Sequence, residues 1–254
     1  MPVETTDDAV LGGKLKLLQP ARGHRAGHDA ILLAAAAPSS QHAIDLGAGV
    51  GTAGLALLVR KIAERVTLVE IDSDLASLAR ENVKRNGFGE RTEIVVTDAL
   101  KLARKSGAEH PAAASADLVL MNPPFNDPSR KNISPDPTRR RAHSAADSDL
   151  DLWVGAAERL LAPNGKLALI HRPEAIEAIL AMLKGRFGAA ELIPIFPRAD
   201  APAIRLIVRA IKGRRTPPAM LPGIVLNDAN NQPTEAANRI LRDAAALEET
   251  QSAR

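Results

Sequence analysis

Asn122-Pro123-Pro124-Phe125 is the segment whose residue types and order most restrict the chemistry open to this chain. Proline fixes its own φ, lacks an N–H and holds the residue before it extended. In such a rigid segment the Asn122 side-chain oxygen and the Pro123 carbonyl can both point at one NH2 group, which suits a planar amine as the acceptor. Phe125 adds a face for a ring to stack on, a contact typically worth about 1–3 kcal/mol per base. Asn122, Pro123 and Phe125 are the expected catalytic set. The plain alternative is a proline-kinked loop without chemistry.

Asp45-Leu46-Gly47-Ala48-Gly49-Val50-Gly51 is the second chemical signal. It follows an apolar run and opens a helix-forming one. Glycines there let backbone approach a ligand closely, and free amides at a helix start favour an anionic group. Asp45, Gly47, Gly49 and Gly51 are therefore expected to bind a cofactor. Glu70 closes Leu68-Val69-Glu70, where a carboxylate can accept hydrogen bonds from both ribose hydroxyls of an adenosine. Asp98, after Val95-Val96-Thr97, is placed to accept from an adenine amino group or, equally, to cap a helix. Gly49-Val50-Gly51-Thr52-Ala53-Gly54 also satisfies the dinucleotide fingerprint, with Glu70 and Asp72 at a suitable distance. A nicotinamide-dependent oxidoreductase stays open on that spacing, although a strand ending at Leu46 makes Gly47 the first turn glycine and the set GxGxG.

These residues need a scaffold that brings strand ends together. Apolar runs at 42–46, 66–70, 92–97, 117–121 and 165–170 alternate with segments of helical spacing, the rhythm of a parallel sheet covered on both faces. Candidates at 192–196 and 203–211 make a hairpin around Arg198 to Pro202. The expectation is an α/β fold with a doubly wound, mostly parallel, seven-stranded sheet. Ahead of it, 14–18 reads as a short strand, Gln19-Pro20 as part of a turn, and Asp29 to Ala37 as a helix stopped by Pro38. Asn122 to Ala146 reads as a long basic loop with a binding role, and a helix carrying Trp153 follows Asp147. The expected organisation is an N-terminal extension over the cofactor site (1–40), a catalytic domain (41–212) and a partly helical tail (213–254), with its helical stretch near Ala236 to Leu247.

With 254 residues, 45% apolar and 25% charged, the chain can bury a sizeable core. It has no cysteine, which removes disulfides, thiolate metal sites and cysteine nucleophiles; no metal is expected. Neither a leader pattern nor a membrane-length apolar run is present, so a cytoplasmic location without membrane contact is expected. Aromatic residues make up 2% of the chain, too few for a multi-base stacking platform. Between Asn126 and His143, five basic residues (Arg130, Lys131, Arg139, Arg140 and Arg141) stand against Asp127 and Asp136. Such a patch gives salt-dependent affinity for a phosphate backbone.

The glycine loop, Glu70, Asp98 and Asn122-Pro123-Pro124-Phe125, in that order, resemble class I S-adenosylmethionine-dependent methyltransferases of the amino-group type, which have a Rossmann-like fold. Asp8 to Lys14, Gln19-Pro20 and Gly23-His24-Arg25-Ala26-Gly27-His28-Asp29-Ala30-Ile31-Leu32-Leu33 bring the resemblance to the bacterial adenine-N6 methyltransferases of valine tRNA. That resemblance implies S-adenosyl-L-methionine as cofactor, with Arg25, Gly27 and Asp29 near its methionine end. It implies tRNA as partner, facing Arg130 to Arg141, with an anticodon-loop adenosine unstacked to reach the pocket. His24 stands where an aromatic residue is usual in relatives, and Phe125 where Tyr is common. A protein glutamine amide is the alternative planar acceptor, and a nonenzymatic RNA-binding module a further class.

Overall fold

The computed structural model describes residues 4–22, 27–103, 111–124 and 138–247, with backbone only from 138 to 148. Phe125, Arg25 and Arg130 to Pro137 lie outside the described residues, as do the side chains of Arg139, Arg140 and Arg141.

Seven long strands form the body of the sheet: β3 (Ser40–Leu46), β4 (Ala63–Glu70), β5 (Thr92–Val96), β6 (Ala116–Met121), β7 (Leu161–His171), β8 (Phe187–Phe196) and β9 (Arg205–Lys212). Their spatial order is β5-β4-β3-β6-β7-β9-β8, all parallel except β9, which runs antiparallel to both its neighbours. A dinucleotide-binding sheet has order 3-2-1-4-5-6. Inserting an antiparallel strand between β7 and β8 departs from it, and this topology disfavours the oxidoreductase reading that the glycine spacing left open.

Helices α1 (His28–Ala36), α2 (Thr52–Val59) and α3 (Ser73–Arg85) cover one face, α4 (Thr138–Leu160) and α5 (Ile176–Leu183) the other. The alternation of β6 shows why both are needed. Leu118 and Leu120 pack into the first apolar cluster, Val119 and Met121 into the second, and none of the four is exposed. Each such side chain contributes about 1.5–3 kcal/mol on burial. Asp72 starts α3 by accepting from the Asp74 and Leu75 amides, Lys84 and Arg85 favour its last turn, and Gly87 at φ 70° ends it.

Four expectations need correction. The sheet has nine strands rather than seven, because β10 (Ala219–Met220) and β11 (Ile224–Val225) in the tail pair in parallel with β8. The acidic N-terminus forms β1 (Thr5–Val10), paired antiparallel with β2 (Leu15–Pro20), so Gln19 and Pro20 belong to a strand and not to a turn. Helix α4 begins at Thr138, ahead of the expected start after Asp147. The late helix is α6 (Glu235–Leu241), capped by the Thr234 hydroxyl. Arg60 ties this tail to α2 by donating to the Ile240 and Ala245 carbonyls. Among the described residues, no helix is long and apolar enough to cross a membrane.

Candidate active site

The chain direction reverses its build across the sheet between β3 and β6. From β3 it proceeds outward through β4 and β5, then returns to place β6 on the other flank of β3. Ligands of open α/β sheets bind at the carboxyl ends of the strands beside such a switch point. Leu46 is in register with Met121 on one side and Val69 on the other, and Glu70 is in register with Val96. Gly47, Glu70, Thr97 and Asn122 therefore emerge along one edge on neighbouring strands, which in any sheet lie about 4.8 Å apart.

The glycine loop is held from below. Gly47, Gly49 and Gly51 all have positive φ (70°, 58° and 90°). The Gly47 and Ala48 amides both donate to the Val69 carbonyl at 2.9 Å, and Gly51 donates to Ala48 at 2.9 Å. Gly47 also receives the indole edge of Trp153 from α4, close enough that a Cβ there would lie 2.5 Å from its ring. As the first two residues of α2, Thr52 and Ala53 have amides that no helical carbonyl reaches, leaving them for an anion. The Thr52 hydroxyl is buried and, among the described residues, unpartnered.

On the far side of the switch point, Asn122 is half-buried and Pro123 buried. No described residue hydrogen-bonds the Asn122 carboxamide. The methyltransferase small domain family matches residues 26–194, more than half of the chain. The chain belongs to that family.

Relatives agree with the match. The methyltransferase is 31% identical to a tRNA1(Val) (adenine(37)-N6)-methyltransferase of Aeromonas hydrophila over 74% of its own length and 77% of the relative's. A protein of the same name from Bacteroides fragilis is 27% identical over 72% and 76% of the two chains. Among solved structures, a predicted O-methyltransferase from Agrobacterium tumefaciens, protein Atu636, superimposes with a TM-score of 0.71 at 28% identity, covering 86% of this chain and 97% of that one. The fold of the methyltransferase is thus the class I, Rossmann-like one.

Two sequence-expected acids hold backbone amides of the loop region. Glu70 is buried, and both its oxygens accept backbone amides, from Gly49 at 2.7 Å and Asp72 at 2.9 Å. It braces the glycine loop, and ribose hydroxyls would use its remaining lone pairs. Asp45 lies beneath the loop, 3% exposed, and accepts the Gly54 amide at 2.8 Å. Its carboxylate is an anchor for the start of α2. Gly54 permits this, since a Cβ would lie 2.5 Å from Leu68 and 3.2 Å from the Asp45 carboxylate. Asp98 accepts the Leu100 amide at 2.9 Å, the capping arrangement that was its alternative reading. Gly27 is the N-cap of α1 and lines a cavity of about 290 Å3 with His28, Asp29, Ile204 and Arg205.

Two residues escaped the sequence reading. Ile71 is 64% and Val96 45% exposed, a cost for large apolar side chains unless something flat covers them. They flank Glu70, one as its chain neighbour and one as its register partner. The signal was an apolar residue at the end of one strand and directly after the end of the other, which periodicity alone assigns to the core.

Burial of Asp45 pushes its carboxyl up from 3.8 to about 7, with the nearby Glu70 charge adding to the rise and the Gly54 amide opposing it. The folded state therefore holds a proton that the unfolded chain releases near pH 4, so this group's contribution is complete below about pH 4 and is lost as pH rises to 7. Half-buried His42 and buried His171, both pushed down by desolvation, give the opposite slope, so a difference measurement is required. Asp45→Asn keeps an acceptor for Gly54 without a charge. Its melting temperature relative to wild type should rise by roughly 3–8 °C between pH 5 and pH 8. A difference that stays constant with pH would assign the titration elsewhere.

Proposed function

We propose that the chain transfers a methyl group from S-adenosyl-L-methionine to the exocyclic N6 amine of an adenosine in tRNA, in the anticodon loop. The observation that carries this reading is the Asn122 carboxamide, unpartnered among the described residues, ahead of two prolines and across the switch point from Gly47. The names of the Aeromonas and Bacteroides relatives, both adenine-N6 methyltransferases, support the substrate.

The cleft fits the cofactor. The amides of Thr52 and Ala53 with the buried Thr52 hydroxyl, unpartnered among the described residues, suit a carboxylate, Glu70 suits ribose hydroxyls, and Ile71 with Val96 suits a purine face. Asp98 keeps an oxygen for the adenine amine, and Arg25, Gly27 and the N-terminal segment would close over the methionine end. When bound, the cofactor supplies an electrophilic methyl group on a sulfonium.

The chain's own contribution is to the acceptor. An adenine amine is a poor nucleophile because its lone pair is delocalised into the ring. Asn122 Oδ1 and the Pro123 carbonyl would each accept one of its N–H protons and favour the pyramidal form in which the lone pair is localised. The surplus proton can leave after the methyl group arrives, so no strong general base is needed. Phe125 would stack on the flipped base.

Methyl transfer from labelled cofactor to total unmodified tRNA, followed by nucleoside analysis, tests this. N6-methyladenosine is expected. The Agrobacterium protein is named a predicted O-methyltransferase, and a ribose-methylated nucleoside would sink the amine reading. Incorporation into protein glutamine instead of RNA would sink the tRNA one.

Charge reversal of Arg139, Arg140 and Arg141 together should weaken tRNA binding at least about tenfold and flatten its dependence on salt, by close to one unit of logarithmic slope per lost phosphate contact. Titrating tRNA at several salt concentrations reads both quantities. An unchanged slope would place the patch away from the RNA.

A further inference from the structure

Asn82 is fully buried in the last part of α3, and all three hydrogen bonds of its side chain leave its own helix. Its Oδ1 accepts the Leu18 amide at 2.7 Å, and its Nδ2 donates to the Leu18 carbonyl and to the Val50 carbonyl, each at 3.0 Å. One turn later Asn86 accepts the Lys16 amide at 3.0 Å and donates to the Lys16 carbonyl at 2.7 Å. A four-residue step along a helix rises about 6 Å and a two-residue step along a strand about 6.7 Å. The two carboxamides thus match β2 as a neighbouring strand would. Asn86 holds the hairpin and donates to the Asn82 carbonyl at 2.7 Å without reaching the glycine loop, whereas Asn82 holds the hairpin and the glycine loop at once.

The loop depends on that second bond. Val50 lies between two glycines of positive φ, which place no side-chain restraint on their peptide planes. Hydrogen bonds supply the restraint: Gly49 N–H to Glu70, Gly51 N–H to Ala48, and Asn82 to the carbonyl of Val50.

We infer that Asn82 is a positioning residue of the cofactor cleft, fixing the Val50 peptide of the glycine loop and the N-terminal hairpin in one relative placement. The inference rests on the reading of the cleft as the S-adenosylmethionine site. Asn82 touches no reacting atom and acts through Val50, so its loss falls on cofactor affinity more than on turnover at saturating cofactor.

The test is calorimetric titration of the full chain with S-adenosylhomocysteine, alongside KM for cofactor and kcat. Asn82→Ala should weaken binding and raise KM at least about tenfold, with kcat within about threefold of wild type, while Asn86→Ala stays within about twofold in all three. Asn82→Asp preserves size in case the alanine variant does not fold. Its carboxylate faces the Val50 carbonyl, so its affinity relative to wild type should improve as pH falls and the protonated acid can donate. Unchanged affinity in Asn82→Ala, an equal loss in Asn86→Ala, or an Asn82→Asp affinity that matches wild type at every pH would each overturn the inference. Failure of wild type itself to bind S-adenosylhomocysteine would instead overturn the cofactor reading beneath it.

Discussion

Asn122→Ala is expected to lower kcat by about 10²–10³-fold while S-adenosylhomocysteine binds as it does to wild type. The size follows from removing one preorganised acceptor aimed at the reacting group, which in comparable sites costs about 3–4 kcal/mol. Cofactor affinity should persist because the loop is held by hydrogen bonds to Val69, Ala48 and Glu70, none of which involves Asn122. The backbone should persist too. Met121 remains paired with Leu46 and Leu169, and Pro123 keeps residue 122 extended whatever its side chain. Asn122→Asp retains an acceptor oxygen and should keep more of the rate than alanine does. Single-turnover transfer to tRNA with saturating cofactor gives the comparison. A variant within threefold of wild type would leave the amine without its proposed holder, and the proposed mechanism would fail.

The two motifs could be read from sequence because each restricts the backbone by itself. Three glycines at alternate positions have few uses other than a tight turn, and two prolines fix an extended segment irrespective of what surrounds them. The central strands were legible for a related reason: buried on both faces, they appear as unbroken apolar runs. Strand β1 has no such face. Thr5, Asp7 and Ala9 alternate with residues only partly covered, and the strand exists because its backbone pairs with β2, whose Leu15 and Leu17 supply the burial. Two-residue strands β10 and β11 are too short for any period to register. Asn82 and Trp153 were silent for a different reason. Their partners, Val50 and Gly47, are distant in sequence, and nothing in an ordinary helical position announces a contact that only the assembled sheet creates. The Gly54 amide that Asp45 accepts was equally silent, since its motif position does not reveal a bond to the following helix.

Gly47→Ala is the substitution that should damage the loop most. Two costs act together. A residue with a Cβ at φ 70° is strained by about 1–2 kcal/mol. The added carbon would also lie 2.5 Å from Trp153 Cη2 and 3.1 Å from Cζ3, so either the indole or the loop must move. Trp153 is 9% exposed and packed in the α4-side core beside Leu46 and Met121, which resists its displacement. Overpacking of this kind typically costs about 1–3 kcal/mol. The combined effect should lower the melting temperature by roughly 5–12 °C and weaken S-adenosylhomocysteine at least about tenfold. Trp153→Leu separates the two costs, because a smaller side chain removes the clash and leaves the φ strain. In a double-mutant cycle the Gly47→Ala penalty should therefore shrink by at least about 1 kcal/mol when Trp153 is already leucine. Additive penalties would mean that the indole does not set the loop's position, and that the glycine is required for its backbone conformation alone.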